Sequence, residues 1–345
     1  MVAESRESTE IRNTEGSVKT GGIMQLVRGL LFGSILIALL AAAGYWVRPS
    51  GIDGSVLRVK AFHALKPDTA EVIVYGSSRA MRSVDPKILF EEYGIGAYNY
   101  AGNWQKINTT AMFIHDSLQT QKPKVALVEV KNVAHLTWDT ELNGELYYTR
   151  EVPWSVSKMQ YLTQCFRYVS ERYISYVFPV FALHENWQAA LSRKKSTKSV
   201  ASVLDHYGFA PSNAVREITF GTTANARQLS SQSLAVLDDI VSECHAAGTE
   251  VVFYVAPSSN KYYYVQAMTE YAQAHDCVFL DGYMRKNEIG IVPTTDYKDL
   301  YHLNKSGAEK MTRYLGKFLA ENYDLTDMRQ VEGSLWEEEM SEVGA

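Results

Sequence analysis

The chain has 345 residues, of which 46% are hydrophobic, 21% charged and 12% aromatic, and this is the composition of a folded protein. Its 34 Lys and Arg against 39 Asp and Glu give a formal net charge of −5, so we expect no nucleic-acid partner. Three cysteines allow at most one disulfide, which excludes a disulfide-stapled framework. The length suits one large domain or two ordinary ones.

The chain opens with a polar segment followed by an apolar one. Residues 1–25 are rich in Ser, Thr and Glu and are predicted to form a disordered cytoplasmic tail. Residues 29–47 are nineteen residues without a charge, enough for a helix to span a hydrocarbon core of about 30 Å. We therefore predict one transmembrane helix over residues 26–48. A cleaved signal peptide is the alternative, because residues 41–43 are three alanines.

From residue 71 onward, short β-branched runs alternate with helical patterns, which is typical of a parallel sheet flanked by helices. The predicted strands are Glu71–Tyr75, Ala97–Tyr100, Lys124–Val130, Glu250–Val255 and Cys277–Leu280. The predicted helices cover residues 87–93, 109–118, 229–247, 265–275 and a last amphipathic segment from Ala308 to Leu319. The expected fold is α/β, a three-layer sandwich with a mostly parallel five-stranded sheet of flavodoxin-like type, over residues 49–325.

Residues 133–215 interrupt this alternation and are predicted to be an aromatic-rich helical insertion. A connection of this length is usually functional, so it is interpreted as a lid over a cleft or as a surface that meets the membrane or a membrane partner. The alternative is that its rings pack into a small core of their own. The basic cluster at residues 193–195 is interpreted as a solvated loop or a contact with anionic lipid. Residues 326–345 are predicted to be a frayed acidic tail.

Two polar segments stand at opposite ends of the folded part. Gly76, Ser77 and Ser78 directly follow the first strand, and Asp299 and His302 directly precede the last helix. Loops at the carboxyl ends of strands gather at one edge of an open α/β sheet, so distant segments can meet there. A serine in such a turn is a nucleophile when a histidine takes its proton and a carboxylate orients the imidazole. The sequence therefore predicts a catalytic triad of Ser78, His302 and Asp299.

This pattern resembles the SGNH/GDSL hydrolase superfamily, where a Gly-x-Ser block follows the first strand and a C-terminal Asp-x-x-His segment completes the triad. The resemblance covers residues 70–135 and 215–322. It implies oxyanion donors after the second and third strands, which fall on Gly102 and Asn132. The sequence departs from the family at Ser77, where Asp is common, and around Asn132, where Val-Lys-Asn-Val replaces Gly-x-Asn-Asp.

A membrane-tethered chain with Gly-Ser-Ser at this position is similar to cell-envelope members of the superfamily that serve D-alanylation of lipoteichoic acid and O-acetylation of alginate. The resemblance implies a single-pass membrane protein, anchored through residues 29–47, with an extracytoplasmic catalytic domain. It implies an esterase or acyltransferase that acts on acyl esters of a cell-envelope polymer, with a membrane-bound O-acyltransferase as partner. The alternative is a weak or inactive accessory protein that binds envelope polysaccharide or such an acyltransferase. No cofactor or metal is expected, because the His and Cys residues lack metal-ligand spacing.

Four further residues have two interpretations each. Arg79 and Arg82 either bind a phosphate-bearing substrate or are ion-paired or solvated. Cys244 and Cys277 flank neighbouring elements, so they either form a disulfide outside the cytoplasm or remain free thiols.

Overall fold

The computed structural model describes residues 3–47, 54–136, 145–166, 171–184, 187–191, 199–204, 206–222 and 225–331. The chain divides into two compact units. The smaller comprises residues 1–50 and 170–195, and the larger comprises residues 51–169 and 196–345. The basic cluster at residues 193–195 and the acidic tail beyond residue 331 lie outside the described residues.

A parallel sheet forms the centre of the larger unit. Its strands are β1 (Val72–Tyr75), β2 (Ala97–Asn99), β3 (Val125–Glu129), β4 (Glu250–Val255) and β5 (Val278–Asp281). They lie in the order β2-β1-β3-β4-β5, and each neighbouring pair is parallel. The five-stranded parallel sheet is thus confirmed, and each strand lies within one residue of its predicted ends.

Helices precede the first strand, connect successive strands and follow the last strand. In chain order they are α1 (Ala3–Trp46), α2 (Gly54–Phe62), α3 (Ser78–Met81), α4 (Pro86–Tyr93), α5 (Ile107–Leu118), α6 (Glu145–Thr149), α7 (Val156–Phe166), α8 (Glu171–Val177), α9 (Val180–Leu183), α10 (Trp187–Leu191), α11 (Ala201–Leu204), α12 (Ser231–Ala246), α13 (Val265–Ala274), α14 (Lys286–Ile289) and α15 (Lys305–Asn322). The element order alternates strands with helices as predicted, which places the larger unit in the α/β class.

Helices cover both faces of the sheet. On one face, buried side chains of α4 and α15, including Leu89 and Met311, join a core with Val72 and Val252 of the strands. On the other face, Tyr75 of β1 is hydrogen-bonded to Ser117 of α5 at 2.6 Å between their oxygens, and α5 packs against α12. Successive side chains of a strand point to opposite faces, so apolar runs of this kind are buried on both sides. The unit is a three-layer sandwich.

Local sequence signals set the ends of α4. Asp85 caps the start, because its Oδ1 accepts a hydrogen bond from the N–H of Lys87 at 3.1 Å. Pro86 occupies the first turn, where no N–H is needed. Gly94 ends the helix with φ of 72°, a left-handed conformation that favours glycine.

The smaller unit is built around α1. Its part from Gly22 to Trp46 is long and apolar enough to cross a membrane, and an N-terminal signal sequence has the same character. The helix begins at Ala3, so residues 3–25 continue it, although their composition predicts disorder. Adding residues to an existing helix costs much less free energy than nucleating a new helix, so a polar segment that adjoins an apolar helix can be helical as well. Near its end α1 meets α9, where a Cβ on Gly44 would lie 3.2 Å from Cδ of Pro179.

The predicted insertion, residues 133–215, is divided between the two units. Helices α6, α7 and α11 belong to the larger unit, while α8, α9 and α10 belong with α1. Tyr148 and Tyr161 are buried, and they contact Phe113 and Thr109 of α5. These rings therefore pack on the sandwich itself and not in a separate core. Trp154 is 58% exposed.

Cys244 and Cys277 are free thiols. The disulfide between Cys244 and Cys277 that the sequence allows is therefore not formed in this structure. Burial raises the pKa of the Cys244 thiol to about 12 and that of Cys277 to about 11. A thiol with so high a pKa is a poor nucleophile at neutral pH, because the thiolate is the reactive form.

Candidate active site

The turn after β1 presents Ser78 at the carboxyl edge of the sheet. Gly76 has φ of 134°, and a Cβ there would lie 2.7 Å from Cβ of Glu129, so both conformation and space require glycine. Ser77 then caps α3, accepting a hydrogen bond from the N–H of Arg79 at 3.3 Å. Ser78 is the first residue of α3 and is half-buried.

The three predicted triad residues lie together. Oγ of Ser78 is 2.8 Å from Nε2 of His302, although the two residues are separated by 224 positions in the chain. Nδ1 of His302 is 2.9 Å from Oδ1 and 3.0 Å from Oδ2 of Asp299. The structure therefore connects a hydroxyl, an imidazole and a carboxylate in the order that serine nucleophiles need.

The segment before α15 is fixed by contacts that the sequence analysis does not identify. Tyr297 and Leu303 form an isolated antiparallel bridge on either side of Asp299 and His302. The side chain of Asp296 has no exposed surface and accepts hydrogen bonds from Nζ of Lys310 and the N–H of Val292, both at 2.7 Å. A buried carboxylate satisfied in this way holds the segment in one conformation. No local pattern marks Asp296 as different from a surface acid.

The start of α15 is also anchored. Oδ1 of Asn304 accepts a hydrogen bond from the N–H of Gly307 at 3.1 Å, which is an N-cap. Its amide nitrogen donates to the carbonyl of Thr295 at 2.7 Å. A Cβ on Gly307 would lie 2.3 Å from the carbonyl oxygen of Asp296. The helix therefore approaches the triad segment so closely that only glycine fits.

Asp299 is held in its ionised form. Burial by itself raises the pKa of Asp299, but the N–H groups of Tyr301 and His302, at 2.8 and 3.0 Å from Oδ1, and the adjacent imidazole outweigh it. The net result is a pKa below the ordinary value. The carboxylate is thus able to accept a proton-bearing Nδ1 and to stabilise an imidazolium.

His302 is held in its neutral form. Burial lowers the pKa of His302, Asp299 opposes this, and the positive charges of Arg79 and Arg82 lower it further, so that the pKa lies below the ordinary value. A proton on Nδ1, assigned from its contact with the carboxylate, leaves Nε2 free to accept one from Ser78. The imidazole is therefore in the state that a general base requires at neutral pH.

Each of the two predicted oxyanion donors makes a hydrogen bond within the protein. The N–H of Gly102 donates to the carbonyl of Gly76 at 3.1 Å, because the chain beyond β2 continues to pair with the turn after β1. The amide nitrogen of Asn132 donates to the carbonyl of Gln105 at 3.3 Å. The single N–H of Gly102 is therefore not available to an oxyanion, whereas the amide of Asn132 has a second N–H beside the one that Gln105 accepts. The N–H of Ser78 lies in the first turn of α3, where a helix offers no acceptor.

A buried carboxylate behind the nucleophile turn is absent from the sequence prediction. Oε2 of Glu129 accepts a hydrogen bond from Oγ of Ser77 at 2.9 Å, and Oε1 accepts one from the N–H of Lys131 at 3.0 Å. Burial raises the pKa of Glu129, while nearby Arg79 opposes this rise. The end of β3 thus places a buried carboxylate against Ser77. The signal was present in the sequence, as one acidic residue in an otherwise apolar buried strand.

The arrangement supports nucleophilic attack on a carbonyl followed by proton return through the imidazole. Within the described ranges, no group of three His, Cys, Asp or Glu side chains lies close enough together to bind a metal ion.

Comparison with known proteins adds little to this geometry. No family model and no curated protein sequence matches the chain. Among solved structures, the chain is similar to a "putative acylhydrolase" from Bacteroides fragilis, with 10% identity and a TM-score of 0.36. The similarity covers 76% of this chain and 93% of that protein. A TM-score of this size does not establish a shared fold, so the function has to be inferred from the site.

Proposed function

We propose that the chain is a serine esterase or acyltransferase that acts on acyl esters through Ser78, His302 and Asp299. The observation that carries this proposal is the continuous hydrogen-bonded path from the Ser78 hydroxyl through the imidazole to the carboxylate, with distances of 2.8 and 2.9 Å. The same three groups in this order serve acyl transfer on several unrelated folds. The electrostatic state of each group, with a neutral imidazole and an ionised carboxylate, agrees with that chemistry.

The proposed reaction has two steps. Oγ of Ser78 attacks the acyl carbonyl while Nε2 of His302 takes the hydroxyl proton, and the N–H of Ser78 donates to the oxyanion. Collapse of the tetrahedral intermediate breaks the ester bond, and His302 returns the proton to the leaving alcohol. Water or an acceptor hydroxyl then attacks acyl-Ser78, with His302 again as base, and releases an acid or a new ester. Asp299 stabilises the imidazolium in both steps.

The location and substrate class are supported by the sequence. The apolar helix Gly22–Trp46 supports a membrane anchor, and the SGNH-like motifs at Ser78 and His302 support a domain outside the cytoplasm. The resemblance to cell-envelope members favours O-acetyl or D-alanyl esters of an envelope polymer as substrate. It also favours a membrane-bound O-acyltransferase as partner.

A second candidate is an accessory protein of weak or no activity that binds envelope polysaccharide or such an acyltransferase. The observation that favours it is the engagement of the Gly102 N–H by the carbonyl of Gly76. Removal of one oxyanion donor typically costs about 10² to 10³ in kcat. An enzyme of this geometry is therefore slow unless substrate binding releases the Gly102 N–H.

A fluorophosphonate probe and a chromogenic ester test the proposal. The wild-type protein should be labelled and should hydrolyse 4-nitrophenyl acetate, and Ser78→Ala should abolish labelling and reduce kcat by up to about 10⁶. Ser231→Ala, which removes an exposed hydroxyl at the start of α12, is the matched control and should behave as wild type. Equal labelling of wild type and Ser78→Ala would refute the triad. A folded wild type that is neither labelled nor active, but co-purifies with a polytopic acyltransferase, would favour the accessory function.

A further inference from the structure

Four large apolar side chains of the smaller unit are exposed outside α1. Ile174 on α8 is 56% exposed, Phe181 on α9 is 48% exposed, and Trp187 and Leu191 on α10 are 49% and 64% exposed. Trp187 and Leu191 are four positions apart, so they lie on the same face of α10. Single exposed apolar residues are normal on a protein surface, but large apolar side chains on three successive helices indicate a covering partner.

These side chains are carried by helices that are held in place. Three neighbouring residues are buried, namely Tyr176, Pro179 and Leu183. Helices α8 and α9 are nearly continuous, because the N–H of Phe178 donates to the carbonyl of Ile174 at 2.8 Å and only two residues separate the helices. The rings of Phe178 and Phe181 meet edge to face, with centroids 6.4 Å apart. The positions of Ile174 and Phe181 on the surface are therefore set by the helices.

Helix α9 also contacts α1 near the end of its apolar part. A Cβ on Gly44 would lie 3.2 Å from Cδ of Pro179 and 3.3 Å from the backbone nitrogen of Val180. Gly44 is buried, whereas earlier side chains of α1 are exposed, as Leu30 is by 63% and Phe32 by 69%. The contact with α9 thus lies at the end of a long uncovered apolar stretch.

The level of this contact follows when α1 is the membrane anchor of the proposed function. The uncovered apolar length of α1 then lies in hydrocarbon. Tyr45 and Trp46, which are 72% and 40% exposed, lie at the headgroups, where amphipathic rings are favoured. Gly44 is two residues before the end of α1, about 3 Å along the helix axis. Helix α9 is therefore attached to α1 at the membrane–water interface.

The neighbouring helices are close enough to reach the same interface. Helix α8 adjoins α9, and α10 begins four residues after α9 ends, which is within about 14 Å. Helices of seven, four and five residues are too short to be stable by themselves in water. An interfacial segment buries its apolar side chains about 5–10 Å into the boundary between headgroups and acyl chains, which removes them from water. Trp187 is of the residue type that this boundary favours.

We propose that α8, α9 and α10 form a lipid-binding surface that lies on the bilayer spanned by α1 and inserts four side chains into it: Ile174, Phe181, Trp187 and Leu191. The bilayer is the occupant that the contacts favour, because lipid already covers α1 up to the level where α9 is attached. A membrane-bound acyltransferase on the same side chains would be a different occupant. This inference rests on the membrane anchor of the proposed function and is independent of the chemistry at Ser78.

Fluorescent labels on the full-length chain in phosphatidylcholine nanodiscs test this surface. Cys277→Ser removes the partly exposed native thiol, while Cys165 and Cys244 are buried and protected from labelling in the folded protein. In this background, Phe181→Cys and Leu191→Cys each place the fluorophore NBD on the proposed surface. Lipids with a nitroxide next to the headgroup should quench both labels at least about twofold more than lipids with a nitroxide at the chain end.

Two further positions provide the controls. Leu36→Cys places the label near the middle of the apolar part of α1, so nitroxides at the chain end should quench it more strongly than those next to the headgroup. Met284→Cys places the label on an exposed apolar position of the larger unit, and neither lipid should quench it. Thermal unfolding of each labelled protein verifies that the substitution leaves the fold intact.

The pattern of quenching separates this inference from the proposed anchor. Labels at Phe181 and Leu191 that remain in water while the Leu36 label lies in hydrocarbon would overturn the lipid-binding surface and retain the anchor. A Leu36 label in water would refute the anchor and the surface together. Labels at Phe181 and Leu191 that become shielded from a soluble quencher only when an acyltransferase is reconstituted with the chain would assign these side chains to that protein and overturn the proposal. Each of these results leaves the ester chemistry at Ser78 to its own test.

Discussion

Replacement of Asp299 by Asn changes one atom of the proposed triad and tests the role of the carboxylate. Oδ1 of Asp299 accepts from the N–H groups of Tyr301 and His302, so the Asn carbonyl oxygen should keep that place. The amide NH₂ then replaces Oδ2, which lies 3.0 Å from Nδ1 of His302. An NH₂ group at this distance opposes a proton on Nδ1 and favours the tautomer with the imidazole proton on Nε2, in competition with the oxygen at the Oδ1 position, 2.9 Å from Nδ1.

The consequence for Ser78 follows from its distance of 2.8 Å to Nε2. A protonated Nε2 donates to the hydroxyl and cannot take its proton, so the nucleophile is not activated. We expect kcat to fall by about 10⁴, which is about 5.5 kcal/mol of transition-state stabilisation. The fold should remain, because the Asn oxygen still satisfies both backbone donors.

The assay combines steady-state hydrolysis of 4-nitrophenyl acetate with the rate of fluorophosphonate labelling. Asp276→Asn is the matched control: Asp276 is exposed and has φ of 54°, a conformation that Asn tolerates. Thermal unfolding of both variants verifies the fold. A folded Asp299→Asn protein that retains kcat and labelling within about tenfold of wild type would show that the carboxylate does not orient the imidazole.

Two further predictions concern the base and its supporting segment. The value of kcat/KM should fall as the pH drops through the pKa of His302, which lies below its ordinary value of about 6.5. Arg82→Gln removes a positive charge that lowers this pKa, so the fall in kcat/KM should move to higher pH. A pH–rate profile that Arg82→Gln leaves unchanged would contradict this prediction. Gly307→Ala places a Cβ 2.3 Å from the carbonyl oxygen of Asp296. Urea unfolding should show a free energy of unfolding lower by about 1–3 kcal/mol, and ester hydrolysis should show a lower kcat. Gly248→Ala, where the added Cβ meets no atom within 4 Å and only the positive φ is strained, should leave kcat unchanged.

The sequence was sufficient to predict the positions of the strands and the ends of several helices. Runs such as Val72–Tyr75 and Val251–Val255 are apolar at every position, and only a sheet covered on both faces buries them. Asp85 and Gly94 define α4 through their own backbone and side-chain preferences. These signals are local, because each depends on residues within a few positions of one another.

The candidate triad was also accessible from the sequence, because parallel strands bring their carboxyl ends to one edge. Ser78 and His302 each occupy a position fixed by an adjacent strand or helix, so their meeting follows from the topology. Their distances and protonation states do not follow from it, since these depend on burial and on charges such as those of Arg79 and Arg82.

Only the tertiary structure decided which polar groups are free to act. The carbonyl of Gly76 accepts the only N–H of Gly102, whereas the carbonyl of Gln105 accepts one of the two amide N–H groups of Asn132. In the same way, Glu129 at the end of β3 accepts a hydrogen bond from Ser77 in the turn after β1, although the two residues are 52 positions apart in the chain. A donor or acceptor forms its bond with whichever partner the fold brings near, and that choice depends on residues far apart in the chain. The sequence by itself thus determined which elements form and which side chains reach the edge of the sheet, whereas long-range hydrogen bonding determined their roles there.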